Sequence, residues 1–180
     1  MKRARAVVAV FLSGLICISA VVGQRERDPL SSGEVAQLRD QAQDPDLRLK
    51  LFVQFARQRL DAIEKLRTDP KATDRGAGIH DALQNFLDVY DEMNDNVDSF
   101  DDEKQDFRKA LKLIIEADVE FDAKLRALQN SADSSKNDAK VYEFVLQTAV
   151  ETVDDSAKDH RDILVEQEEA AKHKKKSNRK

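Results

Sequence analysis

The residues of this 180-residue chain best suited to acid–base or metal chemistry are its three histidines, His80, His160 and His173. A metal site needs further His, Cys or carboxylate ligands a helical turn away. None of the three has a His or Cys partner at that spacing, and neither H-E-x-x-H nor E-x-x-H occurs. The acidic stretch from Asp88 to Glu103 lacks the D-x-[DN]-x-[DN]-G order and the glycine of a calcium loop, so it reads as a solvated helix face. Gly76-Ala77-Gly78 has neither a preceding strand nor the Lys-Ser/Thr ending of a phosphate loop. No G-x-S-x-G elbow and no C-x-x-C-H haem attachment is present. The expectation is a protein that is not an enzyme, with no catalytic residue, no cofactor and no metal.

Asp118 is the one ionisable residue whose position is informative. Phe107, Leu111, Ile114, Asp118, Phe121, Leu125 and Leu128 recur at 4-3-4-3-4-3 spacing, a heptad seam with a single acidic member. A carboxyl buried without a partner is costly, so a partner such as Lys or Arg is expected beside it if it is buried; the alternative is a place where the bundle opens. Polar seam residues usually fix register rather than catalyse.

A second set of candidates lies at the C-terminus. Lys172, Lys174, Lys175, Lys176, Arg179 and Lys180 put six cations into nine residues without an acid. They are the candidate contacts to an anionic surface, against the plainer role of a solubilising end. Gln24 to Ala171 carries 21 Lys and Arg against 35 Asp and Glu, a net of −14. Such a body repels nucleic acid, so no nucleic-acid partner is expected and only the tail could attract polyanions.

The elements that must position these residues are helical. Gly and Pro are scarce, and the apolar pattern after residue 23 repeats with the helical period. Ser31 and Glu34 form a capping box that opens a short helix running to about Gln43. Asp44-Pro45 starts a second helix to about Arg67, whose broad apolar stripe marks it as the centre of the core. Asp69 to Gly78 reads as a loop, followed by a helix from Ile79 to Asp98. Ser99 with Asp102 reads as the cap of a fourth helix reaching Asn130. Ser135 with Asp138 reads as the cap of a fifth, running to Ala171, with Val141 and Phe144 among its core positions. The predicted fold is all-α: an up-down antiparallel bundle of about four long helices plus a short N-terminal helix, in one domain over 31–171. Residues 24–30 and 172–180 are expected to be loose.

The N-terminus supplies the functional context. Lys2, Arg3 and Arg5 precede an apolar stretch from Ala6 to about Ile18, and small residues lead to Gly23 before the charges of Gln24 to Arg27. That is the layout of a secretory signal peptide over 1–23, cleaved after Gly23 or after Ala20. Retained as a 17-residue anchor from Ala6 to Val22, it would instead hold the protein to the membrane. Cys17, the single cysteine, follows Ile16 rather than the small residue a lipidated cysteine requires, and reads as part of the apolar stretch. A cleaved chain therefore has no disulfide and must rely on its core. The expected function is an exported binding, adaptor or structural module of the cell envelope, periplasmic or secreted, with an unspecified protein or envelope component as partner. The alternatives are an envelope chaperone with an apolar groove and, less in keeping with the missing motifs, a metal-carrying or enzymatic bundle.

Overall fold

The computed structural model describes residues 28–131 and 136–177. The signal-peptide segment, the Ser135 cap, Arg179 and Lys180 lie outside the described residues. Five helices account for the rest: α1 (Ser32–Asp40), α2 (Pro45–Thr68), α3 (Arg75–Asp102), α4 (Arg108–Ser131) and α5 (Lys136–Ser177). No strand occurs among the described residues.

The first two helix starts follow local chemistry. The Ser31 hydroxyl accepts the Glu34 amide while Glu34 Oε2 accepts the Ser31 amide at 2.8 Å. Asp44 Oδ1 accepts the Leu47 amide at 3.0 Å, and Pro45 gives up no hydrogen bond at the first helical position.

The next boundaries differ from the sequence reading. α3 begins at Arg75, so Gly76 and Gly78 belong to a helix rather than a loop. Their role is close approach. A Cβ on Gly76 would lie 3.0 Å from the Asp138 carbonyl oxygen in α5, and one on Gly78 would lie 3.3 Å from the Leu66 side chain in α2. Ser99 is likewise inside α3, which runs to Asp102 and stops where Lys104 takes a left-handed φ of 57°. The expected Ser99 cap does not form. Of the free amides at the start of α4, that of Arg108 is accepted by Asp106 at 3.5 Å and two others are satisfied from other helices: Asp46 Oδ1 of α2 accepts the Ala110 N–H at 2.9 Å, and Gln167 Oε1 of α5 accepts the Phe107 N–H at 3.4 Å.

Four long helices stand at the corners of a ring in the order α2, α3, α5, α4, with α1 against α2. Contact positions give the directions. Arg48 meets Asn96 and Leu66 meets Gly78, so α2 and α3 are antiparallel. Lys112 meets Glu168 and Arg126 meets Asp154, so α4 and α5 are antiparallel. Asp46 meets Ala110 and Asp61 meets Lys124, so α2 and α4 run parallel. Asn94 meets Ser156 and Asp101 meets Gln167, so α3 and α5 also run parallel. Two helical hairpins are thus packed face to face, and the consecutive helices α3 and α4 occupy opposite corners rather than neighbouring ones.

The whole predicted seam of α4 is buried, Asp118 included. The core is less centred on α2 than expected: α3 buries eleven residues against seven for α2. Val141 and Phe144 do not join it, being 52% and 84% exposed on α5. α5 passes the expected boundary at Ala171 and stays helical to Ser177. No helix of the described residues is long and apolar enough to cross a membrane.

Candidate functional site

Three buried polar residues of the core converge on one point. Asp118 from α4, Tyr90 from α3 and His160 from α5 are at most 2% exposed. Tyr90 Oη donates to Asp118 Oδ1 at 2.7 Å, and His160 Nδ1 lies 2.9 Å from Asp118 Oδ2. Both carboxyl oxygens are therefore engaged, and the partners are a phenol and an imidazole rather than the expected Lys or Arg. Burial first, and then the charge of Asp118, push the Tyr90 hydroxyl far above its ordinary value of 10, so it stays a proton donor.

The site is walled by rings. Phe121 stands edge-on to Phe86 and Tyr90, at centroid distances of 5.5 and 6.2 Å, and Tyr90 is edge-on to His160 at 6.5 Å. Above Phe121 lies the Arg57 guanidinium, 5.9 Å from the ring centroid, which also binds Glu120. Beside the cluster, Asn94 Nδ2 donates to Ser156 Oγ at 2.9 Å.

Chemically, an imidazole oriented through Nδ1 by a carboxyl is half of a nucleophile-activating arrangement. Ser156, one turn before His160, is the hydroxyl nearest in sequence, but its oxygen is held by Asn94. The ring and carboxyl are sealed from solvent, with side-chain exposures of 3% and 0%. The geometry suits a pin. Asp118 joins α4 to α5 through His160, and to α3, its diagonal opposite, through Tyr90.

Searches against protein families, curated proteins and solved structures find no match. The reading therefore stands on the residues themselves.

The sequence places Asp118 in the seam, but it shows His160 only as a histidine without a His or Cys partner at ligand spacing and gives no sign that Tyr90 meets the carboxyl. A signal for the inward place of His160 was present. Val153, Ser156, His160, Ile163 and Gln167 recur at 3-4-3-4 spacing, so the inward stripe of α5 continues in polar residues after its apolar part ends. His80 lies apart on α3, 43% exposed and 3.5 Å from Asp81. His173 is exposed near the end of α5. Among the described residues, no group of three or more His, Cys, Asp or Glu is arranged to hold a metal.

The described candidate surface residues, Lys172, Lys174, Lys175 and Lys176, lie on the last turns of α5. Lys172 and Lys174 are exposed on helical backbone, and Lys175 and Lys176 continue the same helix. Lys104, Lys109 and Lys112, from the α3–α4 turn and the start of α4, are exposed at that end too. Gln167 locks the end together: its amide donates to the Gln105 carbonyl and to Asp101, at 3.2 and 3.3 Å.

Proposed function

We propose that this chain is an exported, non-enzymatic helical module of the cell envelope that acts through its surface as a binding, adaptor or structural element. The observation that carries this reading is a secretory-type N-terminus, Met1 to Gly23, joined to a bundle in which Tyr90 and His160 take up both oxygens of the central Asp118. Asp118 spends both oxygens on Tyr90 and His160, which leaves no carboxyl there for a substrate.

An envelope chaperone would need an open apolar groove. The groove of about 300 Å³ between α2 and α4 offers the best footing for one, but Leu60, Ile63, Leu125 and Leu128 in its lining are 1–4% exposed, between Asp61, Arg67 and Lys124. Its floor presents little apolar surface, which favours the module over the chaperone.

Fractionation tests the export reading. The full chain expressed in a bacterial host should leave the cytosol, and a chain without residues 2–23 should remain there. Equal distribution of the two would overturn the reading.

A further inference from the structure

We propose that the outer face of α5 around Phe144 docks a second copy of this chain, the two α5 helices lying antiparallel in a weak two-fold dimer. A helix at the corner of a four-helix ring buries one stripe, and apolar residues beyond that stripe point to a further partner. On α5 the inner stripe is filled by Val145, Leu146, Ala149 and Val153, all buried. Val141 and Phe144 lie outside it, 52% and 84% exposed. Single exposed apolar residues are ordinary on a protein surface. Phe144 departs from its own kind, because the other six phenylalanines among the described residues are at most 8% exposed.

The charges around Phe144 are ordered in a way that suits a copy of the same face. Lys140, Phe144, Gln147 and Glu151 recur at 4-3-4 spacing along one exposed stripe of α5. Glu151 is steadied there by Gln147, whose Nε2 donates to it at 2.8 Å. A two-fold axis crossing α5 midway between Phe144 and Gln147 is equidistant from Lys140 and Glu151. It therefore sets Lys140 of each copy opposite Glu151 of the other, as an isologous contact requires. The same axis leaves the two Phe144 rings three residues apart along the helices, about 4.5 Å, close enough to pack on each other. A parallel pair would face Lys140 with Lys140 and Glu151 with Glu151. The antiparallel pair is the arrangement in which apolar and ionic contacts agree.

The flank toward α3 is low. Gly76 carries no side chain there, and a Cβ on it would come within 3.3 Å of Val141 Cβ. A partner helix meets Val141 and Phe144 without a raised edge on that side. The face is also short, since Lys140 to Glu151 covers roughly 17 Å of helix. Burying both Phe144 rings removes on the order of 300 Å² of apolar surface. That is a small share of the roughly 1,200–2,000 Å² in a standard interface, so the dimer should dissociate on dilution.

The test is analytical ultracentrifugation of the purified full chain carrying Cys17→Ser, which removes disulfide dimers, and of the same chain without residues 2–23, which keeps every described residue. Both should show a monomer–dimer equilibrium. Phe144→Ala should weaken it at least about tenfold, as for a central aromatic anchor. Lys140→Glu or Glu151→Lys brings like charges together at two symmetric positions and should weaken it about fivefold or more. Lys140→Glu/Glu151→Lys exchanges the signs and should restore the original affinity to within about twofold. The variants should keep the original helicity and melting temperature, because these side chains lie outside the core. A chain that stays monomeric at about 1 mM, a Phe144→Ala variant that associates as well as the original, or a double variant no better than the single ones would overturn the proposal. Association that disappears with residues 2–23 would belong to that segment and overturn it as well. The measurement uses purified protein, so a failure of the export reading and a failure of this one are distinguishable.

Discussion

Removing the Asp118 carboxyl strands a phenol and an imidazole in the core. Breaking a buried charged contact in this way costs about 3–5 kcal/mol, so Asp118→Ala should lower the unfolding free energy by that much. Tyr90→Phe removes one donor from a carboxyl that keeps the other and should cost about 1–3 kcal/mol. Denaturant melts of both variants and of the double variant check this, and the double should cost less than the two losses added, because the residues share one hydrogen bond. Glu34 offers a pH test at the same scale. Arg59 donates to both its oxygens at 2.8 Å, and those hydrogen bonds hold its carboxyl below the ordinary value of 4.5. The folded state binds that proton less readily than the unfolded chain. The stabilisation is therefore full above about pH 4.5 and lost as acid carries the pH down through the lowered value. Hydrogen exchange of α1 should quicken over that acidic window, and Glu34→Gln should flatten the dependence. The sequence revealed Asp118 as an exception within an apolar period and Glu34 as a capping residue. It hid their partners because Tyr90 is 28 residues from Asp118, His160 is 42 away, and Arg59 is 25 from Glu34.

Helix boundaries were legible where capping is local and obscure where it is not. Ser31 and Asp44 cap from within a turn, so α1 and α2 start where their residue types indicate. The start of α4 has only a long local bond, from the Arg108 N–H to Asp106 at 3.5 Å, and is otherwise capped from Asp46, 64 residues earlier, and Gln167, 60 residues later, which no window of adjacent residues contains. Gly76 and Gly78 read as loop residues because a missing side chain signals a turn as readily as a close contact between helices. The two uses separate by mutation. Ala at Gly78 meets only the end of Leu66, a side chain that can yield, so the helix preference for Ala should leave stability unchanged or raised by up to about 1 kcal/mol. Ala at Gly76 meets the α5 backbone at Asp138 and should cost about 1–3 kcal/mol. At the α3–α4 turn, Lys104→Gly should stabilise by about 1 kcal/mol, since Lys104 holds a left-handed φ that glycine adopts freely. Thermal melts of the three variants give the signs directly.

At the scale of the whole molecule, helical class and element number were legible because the 3.6-residue period runs through the chain with few interruptions. The pairing of helices was not. Short connections suggest neighbours, yet α3 and α4 are joined by Glu103 to Phe107 and stand at opposite corners. What decides the ring is side-chain complementarity between distant segments, such as Arg57 with Glu120 and Asn94 with Ser156. Charge distribution was legible as composition, but its shape was not: the tail read as loose, whereas its first cations extend a helix. Under the proposed function, Met1 to Gly23 is a leader removed on export, leaving the bundle to act outside the cytosol. The most direct test is the intact mass of protein recovered from outside the cytosol of a host expressing the full chain. The exported protein should begin at Gln24, or at Val21 if cleavage falls after Ala20. Soluble protein that keeps Met1 to Gly23 would contradict it.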